Sequence, residues 1–262
     1  MKDELSIVEE VKNSPITIKI SHVLVVVSLI LSSVALCYSI GASKNGVNND
    51  GISRWIAENP EAILDSVNNY ARKMQEEQQA QQQVNAVENI KNMKKELENT
   101  KNQGVIGKGK KVIVEFFDYD CPYCRMAAKN TKELVKNRKD VKVILKPLVI
   151  HDSAQLATEI GIAIAITAPE KFEAYYDAIM IDGQGQSGGL VKDAVSKAGL
   201  KYERIEEALN KKRSEVNAVI SEIREQASVL GVNGTPAFVF TENSQIIPGA
   251  VDANTLSITL DK

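Results

Sequence analysis

The stretch Lys111-Val112-Ile113-Val114-Glu115-Phe116-Phe117-Asp118-Tyr119-Asp120-Cys121-Pro122-Tyr123-Cys124 decides the fold. Its first seven residues form an apolar run of strand length, rich in β-branched and aromatic side chains. The loop Asp118-Tyr119-Asp120 leaves that strand, and the two cysteines fall at the start of a segment that reads as helical from Tyr123 to Asn137. Position gives them their chemistry. The first N–H groups of a helix are unpaired and its macrodipole leaves partial positive charge there, so a thiolate on Cys121 is stabilised. Pro122 suits the first turn, where its missing N–H costs nothing. Cys124, one turn inside, can close a disulfide with Cys121 or release a mixed disulfide formed with another protein. Cys121 therefore reads as the attacking thiol and Cys124 as the resolving one. A CxxC pair is also half of many zinc sites, but four ligands are needed and the remaining soft donors, Cys37, His22 and His151, are scattered. No metal and no cofactor are expected. A purely structural bridge is disfavoured, because closing so short a loop removes little chain entropy.

Working outward, Val141 to Leu145 is the next strand candidate, so strand, helix and strand make a βαβ unit with a parallel pair. A long helical block follows. Ser153 reads as the N-cap of its first helix, Pro169 and Gly188-Gly189 open further ones, and Tyr202 to Leu230 holds one or two more. His151 reads as a cap or loop residue and Tyr175-Tyr176 as packing, so all three stay outside the site. After Gly231 the chain returns to strands at Ala237 to Thr241 and Gln245 to Ile247, with a turn at Glu242 to Ser244 and a last helix from about Asp252. Gly234-Thr235-Pro236, directly before the first of these, forces extended or turn geometry at Thr235 and removes one N–H from the sheet.

These three features together resemble the thioredoxin superfamily and, more closely, the bacterial DsbA-like thiol:disulfide interchange proteins. The likeness is carried by Val114 to Cys124, by Gly234-Thr235-Pro236-Ala237-Phe238 and by Ile247-Pro248-Gly249-Ala250, and it covers roughly Val105 to Lys262. It implies a thioredoxin-like α/β fold in which Pro236 is cis and faces the cysteine pair, with Pro122, Tyr123, Thr235 and Pro236 contacting the substrate peptide. From Cys124 to Pro236 the chain advances 112 positions, filled with helices, far more than a bare thioredoxin or glutaredoxin places there, so a helical insertion at about 152–230 is expected. Tyr123 departs from the best-known DsbA pattern, which has a thiolate-stabilising histidine at that position. Tyrosine carries no positive charge, and a less strongly oxidising pair is expected. Glu115 matches an acidic residue that in the family moves protons to and from the inner cysteine. Its own sequence context leaves two readings open: a buried carboxyl with a raised pKa that shuttles a proton to Cys124, or a surface-facing strand glutamate.

The rest of the chain sets the compartment. Its 262 residues, 44% hydrophobic and 25% charged, suffice for one ordinary domain plus something extra, and 32 Lys+Arg against 34 Asp+Glu leave no electrostatic drive toward nucleic acid. From Ile20 to Ser43 no residue is formally charged, and Val23 to Ile40 holds 14 apolar side chains in 18 positions. As a helix these 24 residues reach about 36 Å, enough to span a hydrocarbon core of roughly 30 Å. Residues 22–43 therefore read as a transmembrane anchor or, given Gly41-Ala42-Ser43, a cleavable signal sequence. Residues 1–21, with Lys2, Lys12 and Lys19, stay inside. Residues 44–104 read as a helical stalk: Ile63, Val67, Tyr70 and Met74 line one narrow face, the polar tract Glu76 to Gln83 breaks it, and Val84, Val87, Ile90, Met93 and Leu97 resume in a shifted register. So thin an apolar edge should either pair with copies of itself or run as a solvated stalk. The stalk resembles that of oligomeric DsbA-like proteins of the copper-sensitivity-suppressor type.

Residues 105–262 are then expected to form the DsbA-like domain, facing a bacterial periplasm from the inner membrane, or free in the periplasm if the leader is cleaved. Its expected activity is to form, isomerise or reduce disulfides in cysteine-containing exported proteins, with a membrane redox partner. The alternative is a membrane-tethered chaperone or adhesin that uses the fold only to bind peptides.

Overall fold

The computed structural model describes residues 49–184 and 186–262, together with Ser28 and Ser32. The expected anchor at 22–43 lies outside the described residues; among those described, no helix is long and apolar enough to cross a membrane. The chain divides into two compact units, 1–73 and 74–262.

The described part of the first unit is helical. Helix α1 (Asn49–Glu58) stops where the Asn59 side chain and N–H both donate to the Trp55 carbonyl, and Pro60 opens helix α2 (Pro60–Asn92). Ile52, Trp55, Ile63, Val67 and Tyr70 are all exposed on the single chain. In the second unit α2 continues through the polar tract without a break. Its last turns change character: Ile90 is buried, as is Leu97 on the short helix α3 (Lys94–Leu97), and both join the core. The sequence boundary at 104/105 falls inside strand β1 (Gly104–Gly107), which its glycines disguise as a linker.

The sheet of the second unit has five strands: β1, β2 (Lys111–Phe117), β3 (Val141–Pro147), β4 (Ala237–Phe240) and β5 (Gln245–Pro248), in the order β1-β3-β2-β4-β5. Only β2 and β3 are parallel, joined through helix α4 (Pro122–Asn137); all other pairs are antiparallel. In β2 the residues from Val112 to Phe117 are all buried, because helices cover both faces of the central strand. Register places Glu115 beside Leu145 on one side and Phe238 on the other, on the face that α4 covers.

Five helices fill the insertion: α5 (Gln155–Thr167), α6 (Phe172–Met180), α7 (Ser187–Lys197), α8 (Tyr202–Lys211) and α9 (Arg213–Val229). Ser153 does not cap α5. A 3-10 turn at Asp152–Ala154 takes the place expected for the first helical turn, and His151 precedes it with its N–H donated to Asp118. Helix α5 is mostly apolar and buried from Ala157 to Ala165, with Glu159 on its outer side held by Gln155 and Arg213. Its neighbours bring an aromatic cluster onto the end of β2: Phe117 meets Tyr119 and Tyr176 edge-on at centroid distances of 4.8 and 5.3 Å, and Phe172 stacks on Tyr176. The last helix, α10 (Ala253–Leu260), is capped by Asp252, whose carboxylate accepts from the Thr255 N–H at 2.7 Å.

Strand β1 depends on the absence of a side chain at Gly104, where a Cβ would lie 2.0 Å from the Phe172 ring. Gly104→Ala should overpack this contact and destabilise the domain by about 1–3 kcal/mol, read as a lowered urea midpoint at unchanged m-value.

Candidate active site

Cys121 occupies the N-cap of α4 with extended backbone angles (φ −77°, ψ 119°), and Pro122 takes the first helical position. The Cys121 carbonyl accepts from the Cys124 and Arg125 N–H groups at 3.0 and 3.3 Å, closing the first turn around the pair. Both thiols are free. Their surroundings differ. Cys121 sits at the rim with 5% of its surface accessible, whereas Cys124 is wholly enclosed. Burial pushes the Cys124 thiol well above its ordinary range, opposed in part by the Asp118 N–H that points at its sulfur from 3.5 Å. Only Cys121 can be reached from outside, and the inner thiol keeps its proton until something at Cys121 requires it.

The second half of the site arrives from the far end of the chain. Thr235–Pro236 is a cis peptide bond, and the Thr235 carbonyl lies 3.3 Å from Cys121 Sγ, accepting from the thiol. A shallow cleft beside this loop is lined by Gly231 to Ala237 together with Ile246 and Pro248. Next to Cys121, α4 displays Tyr123 at 64% exposure and Met126 at 56%, and Pro122 is also exposed. The outer sulfur thus touches the backbone of the loop, and its neighbours along α4 are open to solvent.

Of the two readings open for Glu115, the structure takes the buried one. It is fully enclosed, its Oε2 accepts from Thr131 Oγ1 at 2.9 Å, and its other oxygen has no hydrogen-bond partner among the described residues. Burial raises its pKa to about 8 against the pull of the Thr131 bond. Tyr176 packs edge-on against Phe117 at the end of β2, and its enclosed hydroxyl likewise lacks a hydrogen-bond partner among the described residues.

Sequence reasoning misses Asp118 and His151. Asp118 Oδ2 accepts from the Ile150 and His151 N–H groups at 2.7 and 2.9 Å, and its Oδ1 accepts from the Asp120 N–H at 2.7 Å. Its fully enclosed carboxylate fastens the CPYC loop to the loop after β3, with His151 Nδ1 at 3.3 Å. The Asp-Tyr-Asp loop ahead of the cysteines is the only sign of this in the sequence. Among the described residues no group of three His, Cys, Asp or Glu is placed to hold a metal ion.

Residues 99–262, which hold the two-cysteine helix N-terminus and the cis-proline loop that touches it, match the family model described as thioredoxin. The chain belongs to the thioredoxin family. Several solved structures resemble it. The catalytic domain of Proteus mirabilis ScsC is 25% identical, with a TM-score of 0.59 over 67% of this chain and 96% of that one. A periplasmic thioredoxin-like protein from Salmonella enterica serovar Typhimurium is 29% identical, with a TM-score of 0.54 over 64% and 94%. The thiol-disulfide exchange protein α-DsbA2 from Wolbachia pipientis shares the fold at 21% identity, with a TM-score of 0.63 over 70% and 97%. No curated protein matches the sequence. The fold of this thioredoxin is thus that of the thiol–disulfide oxidoreductases.

Proposed function

We propose that the chain is a membrane-anchored protein thiol:disulfide oxidoreductase, working on cysteine-containing exported proteins in a bacterial periplasm. The observation that carries the reading is the inequality of its two thiols: Cys121 at the rim, 3.3 Å from the Thr235 carbonyl, and Cys124 enclosed beneath it. In the reducing direction the Cys121 thiolate attacks one sulfur of a substrate disulfide. An S–S bond forms to Cys121 and the other substrate sulfur leaves as a thiolate. Cys124 then gives up its proton and attacks Cys121 Sγ, releasing the substrate thiol and leaving the Cys121–Cys124 disulfide. Oxidation of a dithiol substrate is the same path reversed. Glu115, protonated over most of the neutral range, relays the proton to and from Cys124. Pro122, Tyr123, Thr235 and Pro236 hold the substrate chain beside Cys121.

Direction follows from what faces Cys121. No cationic side chain occupies position 123, so the thiolate lacks one source of stabilisation available to the strongest oxidants. The exposed stripe of Ile63, Val67, Tyr70 and Met74 supports association of copies through the stalk, which would surround one substrate with several sites. Isomerisation or reduction is the expected job. Equilibration of the fragment from Gly51 onward against glutathione, with light scattering on the same sample, tests this. A potential near −200 mV or below, with a mass of several chains, is expected. A potential near about −120 mV with a monomer assigns a dithiol oxidase instead, fed by a membrane redox partner.

A further inference from the structure

The polar tract at 76–83 is left without a role by the thiol chemistry, yet its helix forms one wall of a groove. Helix α2 from Gln79 to Asn89 faces Val229, Gly231 and Asn233 across a floor made by Ile246 and Pro248 of β5. The groove shares Gly231, Asn233, Ile246 and Pro248 with the cleft at the cis-proline loop, so the two adjoin, and Thr235 of that cleft touches Cys121 Sγ through its carbonyl. All of it lies within the unit 74–262. The base of the wall is fixed, because Asn89 Nδ2 donates to the Val229 carbonyl at 2.7 Å. Above it Gln79, Gln82 and Gln83, three and four residues apart, stand exposed on one helix face.

The lining carries no charged side chain, although a quarter of the chain is charged. An anionic or cationic ligand would find no counter-charge there. Carboxamides both donate and accept, and so match the alternating N–H and C=O groups of a peptide main chain. At Gly231 and Gly234 an added Cβ would meet nothing within 4 Å, so the backbone of the loop is also open to a strand laid along it. We propose that the groove binds the extended, uncharged segment of unfolded polypeptide next to the substrate cysteine, with Gln79, Gln82 and Gln83 of α2 reading its main chain. From residue 79 to residue 89 the helix rises about 15 Å, the span of roughly four or five extended residues. The inference rests on the thiol-exchange reading and gives it a substrate class: unfolded chains with neutral residues on one side of the reactive cysteine.

The test uses the detergent-solubilised full chain, reduced, and peptides whose single cysteine is capped by glutathione. Each turnover consumes the two protein thiols and yields the Cys121–Cys124 disulfide, the free peptide thiol and glutathione; excess glutathione then reduces that disulfide, two molecules leaving as glutathione disulfide, so that the cycle repeats. The peptides carry zero, three or six neutral residues on either side of the cysteine. Extension on one side only should raise kcat/KM about tenfold, through KM. Gln79→Glu/Gln82→Glu/Gln83→Glu, which keeps shape and helix propensity, should make that gain depend on peptide charge, favouring added Lys over added Glu at least tenfold. A kcat/KM indifferent to length on both sides overturns the groove, as does a length gain in the variant that ignores peptide charge. Failure to reduce even the shortest peptide overturns the thiol-exchange reading instead.

Discussion

Cys121→Ser reduces thiol–disulfide exchange to the buffer background, whatever the substrate and direction. A hydroxyl oxygen cannot form the disulfide that carries the two electrons, and Cys124 is enclosed and cannot take its place. Cys124→Ser gives a different failure. The outer thiol still attacks at close to its usual rate, but nothing resolves the product, so substrate accumulates as a covalent adduct on a non-reducing gel while turnover stops. Both variants should fold. The Cys121 sulfur donates a single bond, to the Thr235 carbonyl, which a hydroxyl can also make. Activity retained by Cys121→Ser, or adduct formation by it, would show that the chemistry lies elsewhere and would revive a purely peptide-binding role.

Glu115→Gln has the largest expected effect on stability, and its sign depends on pH. The carboxyl titrates near 8 in the folded chain and near its usual 4.5 when unfolded. Between those values the native state holds a proton that the unfolded state has lost, so this group's contribution is fully present below pH 4.5 and is lost as pH rises toward 8. The loss is on the order of 5 kcal/mol, because each tenfold difference in proton affinity between the two states is worth about 1.4 kcal/mol. That is a large share of the roughly 5–15 kcal/mol that holds a domain folded. Glutamine fits the same space, accepts from Thr131 and does not titrate. Urea unfolding should therefore find the two proteins similar at pH 4.5, with the variant several kcal/mol more stable at pH 9. A constant offset between them at both pH values would refute the buried, titrating carboxyl. On the proposed relay, the same variant should also slow release of substrate from the Cys121 adduct, and the deficit should grow as pH rises toward and past 8, where the native carboxylate can accept the Cys124 proton.

What can be read from the residues alone, and what cannot, divides along physical lines. Strand β2, helix α4 and the Thr235–Pro236 turn announce themselves, because each rests on local chemistry: β-branched runs, a helix start with proline, a proline that cannot enter a ladder. Strand β1 is hidden because its Gly104 is dictated by a ring, Phe172, many residues away. The side of Glu115 is undecidable from sequence since β2 is buried on both faces, and alternation carries no signal there. Ile90 and Leu97 read as stalk because they continue a thin apolar edge, and only the tertiary fold shows the ends of α2 and α3 entering the core. Asp118 and His151 owe their place to contacts that no spacing in the sequence encodes.

The sulfur of Cys121 and the carbonyl that touches it are separated by 114 residues. A ribosome adding about 5–20 residues per second needs roughly 6–23 s to cover that distance. Throughout that interval the emerging polypeptide carries its two reactive cysteines with no loop over the outer one, and with β2 lacking its β4 neighbour. On the proposed function, the newborn chain is thus itself an unfolded, thiol-bearing client before it can serve others. The cover over its outer thiol is completed only when the last strands arrive.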